Sequence, residues 1–326
     1  MPKIRKLCNL CGSHDASFFI EAKGVDALCD KLFQLIRCDS CGLISLDTEI
    51  RPEEAKSLDF KEYYGSETPS CLGIFGFIMN FFMLMRVRKI EKVSSPGAIL
   101  DIGCGNGDFL KKMNSGGWDC YGLDTSPYAV EIAGKIEGVH AFCGGIDDVR
   151  LPENFFDAVT FWQSFEHMSR PSDLLRKVRG LLKDDGVIFI SVPNIESIEA
   201  RISVGRWLGL DLPRHLYFYS PKTIRSLLEK NGFKIIRLSK NSIEYNFPFL
   251  AQTFFNAMGC EPNLLYQFFK RSKYTERPDL FLRLYTIFLM VMLLPVVLFG
   301  TAVIYFINIA SGNGPVVEVF AGKRKA

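Results

Sequence analysis

The segment from Ala98 to Gly107 constrains the fold of this chain more than any other. Residues 98–102 read AILDI, a nearly continuous apolar run that predicts a buried strand of a parallel sheet. Residues 103–107 read GCGNG and predict a tight turn that leads into a helix beginning at Asp108. A strand that ends in glycines before a helix N-terminus lets a ligand approach backbone amides closely. The sequence therefore predicts a nucleotide-binding strand, loop and helix at this point.

The loop differs from the dinucleotide fingerprint G-x-G-x-x-G. That fingerprint would need glycine at position 108, which is Asp108, and here the loop is entered through another acid, Asp101. A carboxylate at this place would repel a pyrophosphate, but it suits a ligand that carries a cationic sulfonium and an ammonium group.

Strands and helices continue to alternate after the loop. We predict strands at 120–124, 139–142, 156–162, 187–192, 233–238 and 315–320, and helices at 127–136, 174–182 and 224–231. This alternation predicts an α/β fold with a doubly wound parallel sheet. Asp124 closes the second strand, where a carboxylate can accept hydrogen bonds from both hydroxyls of a ribose.

Two pairs of cysteines dominate the N-terminal region. Cys8 and Cys11 lie in one CxxCG turn, and Cys38 and Cys41 lie in another. Two thiolates from one tight turn can share an ion, and the glycine after them lets backbone N–H groups point at sulfur. We expect the four cysteines to bind one structural Zn²⁺, with iron in the same ligand set still open. The alternative is four free buried cysteines. Thiolate ligands imply a reducing compartment.

A long uncharged segment lies near the C-terminus. No charged residue occurs at 284–310, and most of these residues are apolar. The segment exceeds what a small domain usually buries, so we expect a membrane-associated insertion; a buried core helix is the alternative. Pro295 near its middle favours a helix–break–helix hairpin or a re-entrant turn. Basic residues on both sides place the flanks on the cytoplasmic face: Lys270, Arg271, Lys273, Arg277 and Arg283 before it, and Lys323, Arg324 and Lys325 after it.

Composition excludes two broad classes of protein. With 48% hydrophobic residues the chain can build a core, so it is not an intrinsically disordered protein. The 39 Lys and Arg residues against 36 Asp and Glu residues, a formal net charge of +3, do not indicate a polybasic nucleic-acid binder. We therefore expect no nucleic-acid partner.

Taken together, the motifs resemble those of class I S-adenosylmethionine-dependent methyltransferases. Residues 99–107 resemble the first motif of that family, and residues 122–124 resemble the second. Residues 156–168 resemble the fourth strand and the E-H signature that follows it, here Glu166 and His167. Residues 181–186 resemble the leucine-rich turn before the fifth strand, with Asp185 where glycine is usual. The resemblance covers residues 96–240 and the C-terminal strand.

The resemblance implies a seven-stranded Rossmann-like sheet whose antiparallel last strand lies beside the sixth, and S-adenosylmethionine as cofactor. Gly145 stands where the family often has the Asp that binds the adenine amine, which leaves adenine to the backbone of Ile146 and to Asp147. The implied cofactor-binding residues are Asp101, Gly103, Cys104, Gly105, Asn106, Gly107, Asp124, Ile146, Asp147 and Gln163.

A narrower resemblance concerns the rest of the chain. The four-cysteine module followed by Glu62-Tyr63-Tyr64, and the later segment 213–218 (PRHLYF), are similar to a methyltransferase subgroup of polysaccharide and lipid-glycan biosynthesis and to sugar C-methyltransferases. This similarity implies an acceptor that is a glycan or another polar head on a lipid carrier.

Two histidines are the candidate catalytic bases. The methyl group of the cofactor is already activated, so the protein mainly has to hold a nucleophile in line with it and exclude water. An amine acceptor needs little more, whereas a hydroxyl or carbon acid needs a base. His167 follows the fourth strand and His215 lies in the loop after the fifth. A structural role, in which His167 braces the following helix, is the alternative.

These predictions divide the chain into four parts. We expect a zinc-ribbon module at 1–60, apolar and basic linking helices at 61–95, a methyltransferase domain at 96–243 plus 311–326, and a helical membrane-associated insertion at 244–310. The predicted function is methyl transfer to an O, N or C nucleophile on a lipid-linked or lipid-like acceptor. The alternatives are a soluble nucleotide-sugar or small-molecule methyltransferase with a membrane anchor, and a non-catalytic scaffold.

Overall fold

The computed structural model describes residues 4–24, 31–47, 74–203, 205–257 and 280–324. The strands are β1 Ile4–Arg5, β2 Asp15–Lys23, β3 Leu32–Cys38, β4 Ile44–Leu46, β5 Ala98–Ile102, β6 Asp119–Asp124, β7 Val139–Cys143, β8 Phe156–Trp162, β9 Leu182–Pro193, β10 Tyr217–Phe218, β11 Phe233–Ser239 and β12 Val316–Lys323. The helices are α1 Ile74–Glu91, α2 Asp108–Ser115, α3 Pro127–Ala133, α4 Pro171–Leu181, α5 Ile198–Ser203, α6 Pro221–Lys230, α7 Ile243–Ala257 and α8 Leu280–Ser311.

Contacts divide the chain into two units. The first unit contains Met1–Asp59, Pro193–Ile224 and Ser239–Glu318, and the second contains Phe60–Val192, Arg225–Leu238 and Val319–Ala326. The predicted N-terminal module is thus grouped with two later parts of the chain, whereas the sequence assigned these three parts to separate segments.

The body of the second unit is a seven-stranded mixed sheet with the strand order β11-β12-β9-β8-β5-β6-β7. The pairs β5–β6, β5–β8, β6–β7 and β8–β9 are parallel. The last strand lies beside β11, which confirms the predicted Rossmann-like α/β class. In the register of β5, Asp101 lies opposite Gly122 on one side and Thr160 on the other. The acid of the first motif is therefore flanked by strands on both sides.

Burial explains why these residues form this sheet. All five residues of β5 are buried, as expected for a central strand covered on both faces. Helix α2 buries Phe109, Leu110 and Met113 on one face and keeps its lysines on the other. Helix α3 begins where Ser126 accepts a hydrogen bond from the Ala129 N–H at 3.3 Å, an N-cap that satisfies one otherwise unpaired donor.

The first unit contains a five-stranded sheet with the order β1-β2-β3-β4-β10. Strand β10 pairs with β4 in antiparallel register, Tyr217 opposite Ser45. Because of this pairing, the cysteine-containing strands and the segment around 213–218 share one hydrophobic core, which includes Phe33, Trp207 and Phe218. The sequence placed these two segments in different parts of the protein.

The predicted hairpin inside residues 284–310 is wrong. Helix α8 runs without interruption for 32 residues, and Pro295 lies inside it. A proline removes one backbone hydrogen bond from a helix, and the apolar residues on either side keep theirs, so the helix continues. Among the described residues, one helical stretch is long and apolar enough to cross a membrane: Val291–Ser311, with a mean hydropathy of 2.2 and 17% of it buried. One apolar helix therefore precedes the last strand.

The end of α8 is fastened within the first unit. The side-chain amide of Asn194 donates to the Gly314 carbonyl oxygen at 2.9 Å, and the backbone N–H of Asn194 donates to the Pro315 carbonyl oxygen at 2.8 Å. The Asn313 side chain donates to the Glu196 carbonyl oxygen at 2.9 Å. The segment that leaves β9 is thus tied to the segment that connects α8 to β12.

Candidate functional site

The glycine loop after β5 accepts glycine only, for a steric reason. Gly103 and Gly107 have φ angles of +81° and +79°. A Cβ atom at position 103 would lie 2.5 Å from the Cβ of Ser164, and one at position 107 would lie 3.0 Å from the Cβ of Ala133. The contact at position 103 is shorter than real Cβ atoms make, the one at position 107 is at the tight limit, and positive φ is strained for other residues. Gly103 and Gly107 therefore hold the loop in a conformation that other residues would strain.

Most amides of this loop are bonded to the neighbouring strand. The backbone N–H groups of Gly103 and Cys104 donate to the Leu123 carbonyl oxygen at 2.7 and 3.1 Å. The glycine-rich sequence predicts amides that a ligand can approach. Their bonds to β6 instead fix the shape of the loop. The N–H groups of Gly103 and Cys104 therefore do not donate to a ligand, and the glycines only let a ligand come close to the backbone.

Asp124 joins the loop to the end of β6. Its Oδ2 accepts a hydrogen bond from the Gly105 N–H and its Oδ1 accepts one from the Ser126 N–H, each at 2.9 Å. The side chain is buried. A carboxylate has about four acceptor positions, so this one can accept ribose hydroxyls in addition to the two backbone donors.

Asp101 lies buried below the loop. Thr160 donates its hydroxyl to the Asp101 Oδ1 at 2.7 Å. Burial raises the pKa of the Asp101 carboxyl to about 7, although the hydrogen bond from Thr160 and the positive charge of Arg86 act in the opposite direction. A cationic ligand bound above the loop would favour the ionised carboxylate, because opposite charges attract strongly where water is excluded.

Asn106 and Cys104 are the two residues of the loop that are not glycine. The Asn106 Oδ1 is buried and accepts no hydrogen bond from the residues that the structure describes. An unsatisfied buried acceptor suits a ligand with N–H donors, such as an ammonium group. Cys104 is buried in the core, and a Cβ atom at Gly122 would lie 2.8 Å from its Sγ. The Cys104 thiol therefore lies in the core of the second unit.

Gln163 follows β8 in a strained conformation. Its φ angle is +52°, its N–H donates to the Ser191 carbonyl oxygen at 2.9 Å, and its Nε2 donates to the Ser191 Oγ at 3.0 Å. Positive φ in a non-glycine residue persists only where surrounding contacts hold it, and such residues concentrate at functional sites. Neither this strain nor the roles of Ser164 and Ser191 could be read from a sequence pattern.

The two predicted adenine residues lie in the turn after β7. The Asp147 carboxylate is exposed and contacts the Lys177 ammonium, and it lies 3.8 Å from the Arg170 guanidinium. Its neighbour Asp148 accepts a hydrogen bond from the Gly145 N–H at 2.8 Å. The Asp147 side chain thus already contacts two cations of its own unit, and Ile146 offers its backbone.

The first candidate base, His167, ends a short 3-10 turn directly after β8. This turn covers Phe165–His167, and the His167 N–H donates to the Ser164 carbonyl oxygen at 3.2 Å. Its side chain is half-buried. The histidine is therefore placed just beyond the carboxyl end of a central strand of the second unit.

The second candidate base, His215, is buried in the first unit. Its Nδ1 lies 2.9 Å from the Gly209 carbonyl oxygen, which can only accept, so the neutral ring carries its proton on Nδ1. Nε2 is then the basic nitrogen, 3.8 Å from the Asp211 Oδ2. Asp211 also accepts from the Arg214 Nε at 2.9 Å. These bonds fix the orientation of the imidazole ring.

The four N-terminal cysteines meet at one point. The Sγ atoms of Cys8 and Cys41 are 3.5 Å apart, those of Cys11 and Cys38 are 3.4 Å apart, and all four lie within 4.8 Å of one another. A tetrahedral ion with metal–sulfur bonds of about 2.3 Å separates its sulfurs by about 3.8 Å. The donor set therefore fits such an ion. Burial raises the pKa of Cys38, but the Cys41 N–H and the Cys11 thiol lower it overall, to about 7.

Comparison with known proteins finds a family match over the middle of the chain. Residues 82–238 match the family model described as "Methyltransferase domain". Over these residues the chain is similar to S-adenosylmethionine-dependent methyltransferases. The matched residues include the glycine loop, Asp124, Gln163 and His167, so all the predicted cofactor-binding residues lie within the matched range. His215 also lies within the matched range.

Proteins similar to this chain differ in their names. The chain is 30% identical over 144 residues to a ubiquinone biosynthesis O-methyltransferase of Schizosaccharomyces pombe, covering 41% of this chain and 49% of that one. It is 25% identical over 205 residues to an uncharacterised protein of Methanocaldococcus jannaschii, covering 56% and 78%. A solved S-adenosylmethionine-dependent methyltransferase from Archaeoglobus fulgidus aligns with a TM-score of 0.47 and 20% identity, covering 75% and 94%. The chain spans about half the length of the Schizosaccharomyces pombe relative.

Proposed function

We propose that this protein transfers a methyl group from S-adenosylmethionine to an O, N or C nucleophile on a lipid-linked or lipid-like acceptor at a membrane surface. The observation that carries the transferase part is the bond between the Asp124 carboxylate and the Gly105 N–H. This hydrogen bond holds the glycine loop next to a carboxylate. A nucleoside that carries a cationic group needs both a loop that its backbone-binding part can approach and a nearby negative charge.

Three groups would hold the cofactor. Asp124 would accept the ribose hydroxyls, the orphaned Asn106 Oδ1 would accept from the ammonium group, and Asp101 would supply negative charge below the loop. When bound, S-adenosylmethionine supplies a methyl group that its sulfonium already activates. The residues of the chain then bind and orient the reactants and exclude water.

His215 is our first candidate for the base, and His167 is the second. An oxygen or carbon acceptor must lose a proton during transfer, and the Nε2 of His215 can take it because Nδ1 is held by Gly209. The same hydrogen bond keeps the ring oriented and stabilises the protonated state. An amine acceptor would need neither histidine.

The lipid character of the acceptor is inferred from helix α8. Many of its large apolar side chains are exposed, among them Phe288, Val291, Phe299 and Phe306. Exposed apolar surface of this extent is typical of a membrane-contacting helix. A relative named for O-methylation in ubiquinone biosynthesis supports an acceptor that partitions into lipid. Because α8 is one continuous helix with basic residues on both sides, we propose that it lies along the cytoplasmic surface of the membrane and does not cross it.

Zn²⁺ is the ion we assign to the four cysteines. The set is closed, with four thiolates and no position for a substrate, so the ion would be structural. It would stabilise the first unit, because the cysteine strands share a core with the segment that carries His215.

The acceptor can be tested with labelled cofactor. The full chain is incubated with methyl-labelled S-adenosylmethionine and membranes of a strain that lacks the protein, and lipid-extractable and water-soluble products are separated. We expect label in the lipid fraction. Label confined to water-soluble acceptors would refute the lipid part, and a nucleotide-linked sugar would then be the acceptor to pursue.

A matched pair of variants controls this experiment. Asp124→Ala removes the acid at the end of β6, and Asp119→Ala removes an exposed acid at the start of the same strand. Label should vanish with the first variant and persist with the second. If both variants label the product equally, the cofactor does not bind at Asp124. That result would refute the proposal that this loop is the site of methyl transfer.

A further inference from the structure

Helix α1 presents an apolar stripe that the proposed function does not use. Phe77, Phe81 and Leu84 are 73%, 46% and 42% exposed. Residues spaced by four and then three positions lie on one face of a helix. Three large apolar side chains therefore form a continuous exposed stripe on the second unit.

The opposite face of α1 is fixed to the core of the second unit. Val87 and Ile90 are buried there in contact with the main hydrophobic cluster. The Arg86 guanidinium lies 4.7 Å from the centre of the Trp162 ring, a cation–π contact. Because this face is anchored, the stripe is held outward and does not belong to the core.

Basic residues continue the stripe at the C-terminal end of α1. Arg88 lies one turn after Leu84 on the same exposed face, and Lys92 follows the helix directly. Between residues 86 and 92 there are four basic residues and a single acid, Glu91. A helix that passes from exposed phenylalanines to exposed basic side chains matches the boundary between acyl chains and anionic headgroups.

We propose that this face of α1, defined by Phe77, Phe81, Leu84, Arg88 and Lys92, is a second membrane-docking surface that binds the interface of an anionic bilayer. The apolar side chains insert at the acyl boundary and the two basic side chains contact the headgroups. The surface is separate from α8 and lies in the methyltransferase unit itself. Three apolar side chains are too few for a stable protein–protein interface, whereas a bilayer requires no complementary shape.

A tryptophan reporter tests the contact directly in the full chain. Phe81→Trp places a fluorophore on the stripe, while the native residues Trp118, Trp162 and Trp207 are buried and give a constant background. Vesicles of phosphatidylcholine with and without phosphatidylglycerol are added. We expect a blue shift of the emission with anionic vesicles, and quenching by lipids brominated in the acyl chain.

Two further reporters separate the possible outcomes. Ile236→Trp, at an exposed position of β11, should not respond, and Phe299→Trp should report on α8. A response at position 299 without one at 81 would overturn this inference and leave the proposed membrane association intact. No response at either position would overturn both. Equal responses at 81 and 236 would indicate non-specific adsorption and also overturn it.

A loss-of-binding variant completes the test. Replacing Phe77, Phe81 and Leu84 by serine should weaken binding to anionic vesicles by roughly tenfold, because each loses apolar area that the bilayer would cover. The control variant Ile236→Ser removes an exposed apolar side chain of the same unit and should bind normally. Unchanged vesicle binding by the triple variant would refute the bilayer as the partner of this surface. The same holds if the unmodified chain forms a dimer that the triple variant does not form.

Discussion

The Asp124 carboxylate accepts a hydrogen bond from the Gly105 N–H at 2.9 Å, across the gap between β6 and the loop after β5. The same carboxylate accepts from the Ser126 N–H at the start of α3. One acid thus fixes the glycine loop, the end of a strand and the beginning of a helix. A ligand that binds Asp124 meets a site that is already ordered.

Asp124→Ala should therefore abolish measurable cofactor binding. Two hydrogen bonds that fix the loop are lost together with the ribose contact, and bonds to a charged acceptor contribute about 1.5–3 kcal/mol each. We expect the dissociation constant for S-adenosylmethionine to rise at least about 100-fold by isothermal calorimetry. Asp119→Ala should leave it unchanged, and an unchanged value for Asp124→Ala would refute the assignment.

Gly103→Ala should destabilise the second unit by about 2–4 kcal/mol, because the new Cβ overlaps Ser164 and the φ angle of +81° is strained. Gly117→Ala is the matched control, since Gly117 has a φ angle of +85° and nothing within 4 Å of the new atom. It should cost about 1 kcal/mol from strain alone. Urea unfolding measures both, and adding Ser164→Gly should recover part of the first loss. Equal costs for the two alanine variants would show that the overlap with Ser164 is not the cause.

Asp101→Asn should raise stability at alkaline pH. The pKa of Asp101 is about 7 in the folded protein and 3.8 without burial, so the folded state binds more protons between these values. The contribution of the protonated Asp101 carboxyl to the free energy of unfolding is complete below pH 4 and is lost as the pH rises through 7. At pH 8 the variant should be more stable by on the order of 2 kcal/mol, and this advantage should shrink toward pH 5.

The matched control for this pH dependence is Asp185→Asn, which changes an exposed acid. Thermal unfolding of both variants and of the unmodified chain between pH 5 and 8 separates the effect of Asp101 from that of removing an exposed acid. Asp101→Asn should also weaken binding of the cationic cofactor. A variant that bound the cofactor normally would show that the charge of Asp101 does not act on the ligand.

Cys38→Ser and Cys11→Ser should each eliminate one bound metal ion per chain. A tetrahedral thiolate site with three sulfurs left is open and holds its ion weakly. Cys143→Ser, at an exposed cysteine outside the cluster, should retain the ion. Metal content by mass spectrometry checks this prediction, and the identity of the ion separates zinc from iron. Equal metal content in all three variants would contradict a four-cysteine site.

His215→Gln should lower the rate of methyl transfer without changing cofactor affinity. Glutamine can still donate to the Gly209 carbonyl oxygen, but it has no basic nitrogen. We expect the rate of methyl transfer to an oxygen acceptor to fall by about 10²–10⁴-fold. The equivalent change at His167 identifies which histidine acts. Unchanged rates for both variants would indicate an acceptor that needs no base.

Several features of the fold were predictable because they are local. The apolar run 98–102, the glycines that follow it and the alternation of strands and helices each reflect short-range sterics and burial, and the structure confirms the α/β class they predicted. The two CxxCG turns are equally local, and their four sulfurs meet as the spacing suggested.

Other features were not predictable because they depend on partners distant in sequence. The sequence indicated a break at Pro295, but α8 continues through it. The bonds of the Gly103 and Cys104 amides to Leu123, and the contact of Asp147 with Lys177, join residues whose proximity no periodic pattern encodes. Tyr63 and Tyr64 lie outside the described residues, so the sequence remains the basis for any role they have.

The sequence by itself determined the strand–loop–helix unit, the acid at its entrance, the acid at the end of β6 and the two cysteine pairs, because each depends on residue type at short spacing. Only the tertiary structure decided that β10 pairs with β4, so that the cysteine strands and the His215 segment share one core. It also decided which face of α1 is anchored by Val87 and which is exposed. These outcomes depend on long-range packing, where burial of apolar surface between distant segments outweighs local preference.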